Sequence, residues 1–172
     1  QQAHGSKVVV EGAGFLLNNT MGDFNPIPDV TNSAGNIGTA PNLIEPGKRM
    51  LSSMSPTIVA KNGKPVIVIG SPGGRTIINT VMQVILNVID HNMEISQAIE
   101  APRIHHQWLP DITNFERFGI SSDTGSLYEM MGHQVKVGGS QGRAMGIFID
   151  HDNNIIKGAA DSRSPDGMAA GY

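Results

Sequence analysis

Cysteine is absent from all 172 residues. Disulfide frameworks, zinc–thiolate sites and a cysteine nucleophile are therefore excluded, and the compartment stays open. Charged side chains are scarce and the net charge is −3. That leaves no basic face for nucleic acid and no polybasic patch for a membrane surface. No apolar run is long enough to span a bilayer. No signal peptide is visible, and no motif asks for a cofactor. Glycine is plentiful but falls at turns without a period, so collagen-like and linker readings fail.

The length suits one domain, which would bury roughly 70% of the surface of its unfolded chain. The opening "QQAHGSKVVVEG" reads like the middle of a protein and suggests a fragment or processed subunit. Val8–Val10 and Phe15–Leu17 are short apolar runs around "EGAG" and read as strands with a Gly-rich turn. Asn25 to Pro46, rich in Pro, Asn, Gly and Ser, reads as a long surface loop of the functional kind.

"PTIVAKNGKPVIVIGS" carries the clearest local signal. Two β-branched runs flank Asn62-Gly63, the preferred type I′ hairpin turn. Val66 to Ile69 is continuously apolar and is expected to be buried on both faces. Ile77, Val81, Val84, Ile85 and Val88 then recur at helical spacing, and Ile78, Met82 and Ile89 widen the stripe. So apolar a helix is expected to lie between the sheet and other elements. Asn92 can close it in the left-handed conformation. A second helix runs from about Glu94 to Glu100, stopped by Pro102.

"RIHHQWLPD" reads as extended. Ser122 or Asp123 is placed to cap a helix over Thr124–Met131, closed by Gly132. Strands over Ala144–Ile149 and Ile155–Ala159 flank the turn "DHDNN". Strands, helices, then strands again argue α+β with mostly antiparallel sheets.

Gly73-Gly74 stand where a strand ends and a helix begins. Unpaired N–H groups there suit an anion or a developing oxyanion; from local pattern alone a tight strand-to-helix turn is the favoured reading. The Lys and Ser/Thr of a P-loop do not follow. Ser52-Ser53 could donate to a carboxylate, or merely open a strand. "NNTMGDF" sets Asn19, Thr20 and Asp23 after a strand, where an Asp among amides and hydroxyls suits an ammonium ligand. An Asx-turn is the plainer alternative.

Adjacent His105 and His106 on an extended segment point opposite ways, which argues against a shared metal. Asp150, Asp152 and Asn154 imitate a calcium loop, but Ile155 takes the place of its turn glycine, so a hairpin turn is favoured. There is no G-x-S-x-G. Local pattern thus yields a candidate anion pocket but no reaction.

"GFLLNNTMGDF", "PGKRMLSSMSPTIV", "GSPGG", "APRIHHQWLPD" and "AAGY", in that order, resemble the small subunit of γ-glutamyltranspeptidases, a family of N-terminal-nucleophile hydrolases. The resemblance covers nearly the whole chain. It implies a four-layer αββα sandwich, with residues 1–172 as the C-terminal, small-subunit portion of a single domain. It implies a precursor that cuts itself into two subunits, exposing a Thr whose hydroxyl attacks the γ-glutamyl amide. Water or an amino-acid acceptor then resolves the γ-glutamyl-enzyme. Cofactors are not implied. Partners are the large subunit and the rest of the small subunit, and export to the periplasm or medium is implied by the family alone.

Carried over by position, Ser52 and Ser53 match the α-carboxylate pair, Gly73 and Gly74 the oxyanion-hole glycines, and Asp23 the carboxylate that holds the α-ammonium. Thr20 stands where the family usually has Gln or Glu, and Gly22 where Asp is common. The attacking Thr should lie tens of residues before "GSKVVVEG". Gln1 cannot attack, so the nucleophile and the segment that usually supplies an Asn to the substrate amine are expected outside this chain. Three alternatives stay open: a glutaryl or cephalosporin acylase of the same fold, which would leave Asp23 without an ammonium partner; a poly-γ-glutamate depolymerase; and a non-catalytic truncated homologue.

Overall fold

Asn62 and Gly63 take φ of 53° and 77°, both positive as a type I′ turn requires. They join β1 (Thr57–Lys61) to β2 (Lys64–Gly70). This computed structural model describes residues 4–171, so Gln1 and the Tyr172 of "AAGY" lie outside the described residues. The chain divides into two compact units, Gln1–Ser52 and Ser53–Tyr172.

In the second unit, β2 also pairs antiparallel with β6 (Met145–Asp150), which pairs with β7 (Ile155–Ala160). The four-stranded order is β1-β2-β6-β7. After β2 come α1 (Ile77–Ile89) and α2 (Ile95–Glu100). Then β3 (Ile104–His105), β4 (Thr113–Phe115) and β5 (Val135–Val137) make a small sheet, with α3 (Ser122–Met130) between β4 and β5. Only the β4–β5 pairing is parallel among the named strand pairs of the described residues. The expected α+β class with mostly antiparallel sheets is met.

The core joins Ile67 and Ile69 of β2 to Ile77, Val81 and Val84 of α1 and to Ile95, Ala98 and Ile99 of α2. Each such Ile or Val side chain contributes roughly 1.5–3 kcal/mol by leaving water, against about 0.2–1 kcal/mol for a cross-strand pair. Helix-on-sheet packing therefore dominates. Gly146 lets α2 sit close on β6: a Cβ there would lie 3.1 Å from Ile99 Cδ1 and 3.2 Å from Ile95 Cδ1. Asn92 closes α1 at φ 53° as expected. A reciprocal Glu94–Gln97 capping box starts α2.

Several expectations need correction. Val66 and Val68 are only half-buried, because the helices of this unit cover the Ile67 and Ile69 face. Ile78, Met82 and Ile89 are about half exposed, so the outer face of α1 is open rather than packed. The third helix starts two residues early: Ser121, in an extended conformation, is its N-cap, and its hydroxyl donates to Thr124 Oγ1 at 2.8 Å.

The first unit differs most from expectation. Val8–Val10 and Phe15–Leu17 make one antiparallel bridge, Val9 to Leu16, instead of two strands. Their side chains are largely exposed, and a two-stranded ribbon without a buried face has little to hold it. Residues 25–46 are more ordered than a bare loop. Asn25 bridges Leu43, and a 3-10 turn spans Ala40–Asn42.

A buried ionic cluster closes the second unit, and nothing in the sequence announced it. Arg103 Nη2 donates to Asp161 Oδ2 at 2.7 Å and to the Ile99 carbonyl at 2.6 Å. Arg163 forks onto Glu116 through Nε at 2.9 Å and Nη2 at 2.5 Å, and its Nη1 reaches Asp161 Oδ1 at 3.0 Å. Burial works to raise the Asp161 pKa. The Arg163 N–H, the Arg103 guanidinium and the Ala144 N–H outweigh it and hold the carboxylate below its ordinary range.

Candidate functional site

Asn19, Thr20, Asp23 and Ser52 belong to the first unit. Asn18 Oδ1 accepts from Thr20 N at 3.0 Å and from the Thr20 hydroxyl at 2.6 Å. This is the Asx-turn that was the plainer reading, and it starts a 3-10 turn over Thr20–Asp23. Asn19 is its N-cap and half-buried, as is Thr20, while Asp23 at the far end is exposed. The turn therefore presents a carboxylate to solvent on a short, hydrogen-bonded frame.

Asn42 brings that frame to the Ser pair's approach. Its Nδ2 donates to the Asp23 carbonyl at 2.8 Å and to Asn25 Oδ1 at 3.2 Å. Its Oδ1 accepts from the N–H of Leu51, next to Ser52, at 3.0 Å. Sequence reasoning placed Asn42 in a surface loop and passed over it. The available signal was an Asn four residues ahead of "PGKRMLSS", one of several in an Asn-rich stretch, with no periodic partner to mark it.

In the second unit, Ser53 is half-buried and precedes β1. Its carbonyl accepts from the Ser55 hydroxyl at 3.1 Å, and the Ser55 carbonyl from Thr57 Oγ1 at 3.0 Å. These bonds pin the strand entry.

Gly73 and Gly74 form the head of a 3-10 turn, Gly74–Thr76, that runs directly into α1. The first N–H groups of a helix lack intrahelical acceptors and carry the positive end of its dipole. Gly73 has φ 146° and Gly74 φ 57°, and side chains rarely adopt such values. At Gly73 there is also no room: a Cβ would lie 2.5 Å from Thr76 Oγ1 and 3.2 Å from Gly142 Cα. At Gly74 it would meet nothing within 4 Å. The Gly73 carbonyl accepts from Thr76 N at 3.1 Å and from its hydroxyl at 3.0 Å, turning the peptide. Ser71 Oγ accepts from Arg143 N at 2.9 Å, bracing the loop from the side. Ser71 and Gly142 were not foreseen, since their role depends on a contact distant in sequence.

The histidines part as expected. His105 is buried and its Nε2 bonds Gln107 Oε1 at 2.8 Å, while exposed His106 bonds Asp111 Oδ1 at 2.8 Å. Asp150 accepts from Asp152 N and Asn153 N and from the Asn153 amide, so "DHDNN" is a hairpin turn. The Asn153 side chain and N–H hold the Asp150 pKa low. An open cleft of about 470 Å³, lined by residues such as His106, Tyr128 and His133, contains none of the predicted site residues. No helix of the described residues is long and apolar enough to cross a membrane.

The family model for Gamma-glutamyltranspeptidase matches residues 1–171. Over 168 residues the chain is 46% identical to the glutathione hydrolase proenzyme of Escherichia coli (strain K12), covering 98% of this chain and 29% of that protein. It is similar to a solved Helicobacter pylori gamma-glutamyltranspeptidase variant, with a TM-score of 0.85 and 46% identity over 95% of this chain and 89% of that one. A cephalosporin acylase from Bacillus halodurans is more distant, at TM-score 0.79 and 26% identity, covering 98% of this chain and 30% of that one. The chain thus spans under a third of the length of the curated relative. Its fold is of the N-terminal-nucleophile-hydrolase type, as the solved relatives are, and the chain belongs to the gamma-glutamyltranspeptidase family.

Proposed function

We propose that this chain is the small-subunit portion of an N-terminal-nucleophile hydrolase domain that cleaves γ-glutamyl amides such as glutathione. Asp23, with Asn19 and Thr20, takes the substrate α-ammonium, and Ser52 and Ser53 take its α-carboxylate. A Thr hydroxyl outside this chain attacks the γ-carbonyl and passes its proton to its own α-amino group. The Gly73 and Gly74 N–H groups stabilise the oxyanion as the C–N bond breaks and the amine leaves with a proton. Water or an amino-acid acceptor then releases the glutamyl group. The large subunit of the same precursor completes the site, and the protein is periplasmic or secreted.

The observation that carries the reading is the glycine pair at the head of α1, with positive φ at both positions and no space for a side chain at Gly73, where the first N–H groups of a helix lack intrahelical acceptors. The test is hydrolysis of γ-glutamyl and glutaryl anilides by the full-length protein. Faster γ-glutamyl turnover, with the preference lost in Asp23→Ala, is expected. Equal or better glutaryl turnover overturns it.

A second reading, a glutaryl-type acylase, draws support from the Bacillus halodurans relative and from Thr20, too short to replace a Gln or Glu at the ammonium. Against it, a glutaryl group would leave the Asp23 carboxylate without an ammonium partner.

A further inference from the structure

We infer that Asn42 is a positioning residue that sets the separation between the ammonium end and the carboxylate end of the substrate site. This rests on the γ-glutamyl reading. Asn42 is 5% exposed and a fully employed amide. Both Nδ2 hydrogens are taken, by the Asp23 carbonyl and by Asn25 Oδ1, and Oδ1 holds the Leu51 N–H. Its backbone joins in, since its carbonyl accepts from Asn25 N at 2.8 Å. One rigid side chain thus fastens the peptide that carries Asp23 and the peptide that precedes Ser52. These lie 19 residues upstream and 9 downstream of it.

The chemistry explains why Asn is needed. The side chain must donate on one side and accept on the other over a fixed short span. Asp accepts on both sides and sets an oxygen against the Asp23 carbonyl and Asn25 Oδ1. Gln has the right groups one methylene too far out. Asn42 does not touch the substrate in this scheme. It fixes how far apart the ammonium-binding carboxylate and the carboxylate-binding hydroxyl are held. That distance distinguishes an α-amino acid head group from a simple dicarboxylate.

The experiment uses the full-length protein and three competitive inhibitors of γ-glutamyl anilide hydrolysis. L-Glutamate has both α-groups, glutarate lacks the ammonium, and 4-aminobutyrate lacks the α-carboxylate. Asn42→Asp keeps the Leu51 contact and loses the Asp23 contact. Its inhibition constants for glutamate and 4-aminobutyrate should rise about three- to tenfold, the worth of one hydrogen bond, with glutarate unchanged and KM moving more than kcat. Asn42→Ala, which buries no charge, should weaken all three inhibitors, glutamate the most. If Asn42→Asp does not fold, the alanine variant carries the test alone. Glutarate and 4-aminobutyrate shifting in parallel in Asn42→Asp, or neither variant altering KM, overturns the inference. A wild-type protein that ignores γ-glutamyl anilide overturns the functional reading instead.

Discussion

Replacing Gly73 by Ala tests the oxyanion assignment against its neighbour. The new Cβ would sit 2.5 Å from Thr76 Oγ1 and 3.2 Å from Gly142 Cα, so the loop must move, at a cost of about 1–3 kcal/mol for overpacking. A φ of 146° adds about 1–3 kcal/mol of backbone strain. At Gly74 the space is open and φ is 57°, so Ala costs only about 1–2 kcal/mol. Losing one oxyanion donor lowers kcat by about 10²–10³. Gly73→Ala should therefore reduce single-turnover acylation of the full-length protein about 10²-fold, and Gly74→Ala no more than about tenfold. Adding Thr76→Ala to Gly73→Ala removes the closest clashing atom and should restore part of the loss, though not the share due to φ. The assay is stopped-flow release of nitroaniline, with thermal denaturation run in parallel. Gly73→Ala at near wild-type rate, or Gly74→Ala as the more damaging change, would refute the reasoning.

Arg103→Met should cost about 3–5 kcal/mol in urea unfolding, because it leaves the buried Asp161 short of a counter-charge; a loss below about 1 kcal/mol would count against the cluster as drawn. Asp161, with its pKa depressed, favours folding above the ordinary Asp range, and that contribution is lost as pH falls through its lowered value. Denaturation curves below about pH 4 should thus be steeper in pH for the parent than for Asp161→Asn, and equal slopes would exclude this contribution. Gly146→Val should cost about 1–3 kcal/mol by pushing Ile95 and Ile99 off β6, read from the same urea curves; an unchanged midpoint would mean α2 is not seated there.

Legibility in the sequence followed the range of the interaction. The Asn62-Gly63 turn, the span of α1 and the left-handed stop at Asn92 were readable because each depends on residues a few positions apart. The same locality made the glycine pair visible as a helix head. What escaped notice depends on distant partners. Arg103 reads as an ordinary surface cation until Asp161 is brought to it. Asn42 reads as loop filler until Asp23 and Leu51 converge on its amide. The open outer face of α1 and the single Val9–Leu16 bridge reflect the opposite case. Their apolar patterns predict burial that the described residues do not supply.

The buried ionic cluster also bears on how the chain is made. Arg103 waits for a partner 58 residues later, an interval of roughly 3–12 s at ordinary translation rates. Until Asp161 is made, burying the Arg103 guanidinium would cost several kcal/mol without the carboxylate that accepts from it. The C-terminal end of α2, whose Ile99 carbonyl accepts from Arg103, must therefore stay unsealed at that corner. Asp161, just past β7, thus acts as a late-arriving latch on which the earlier parts of the unit depend to close.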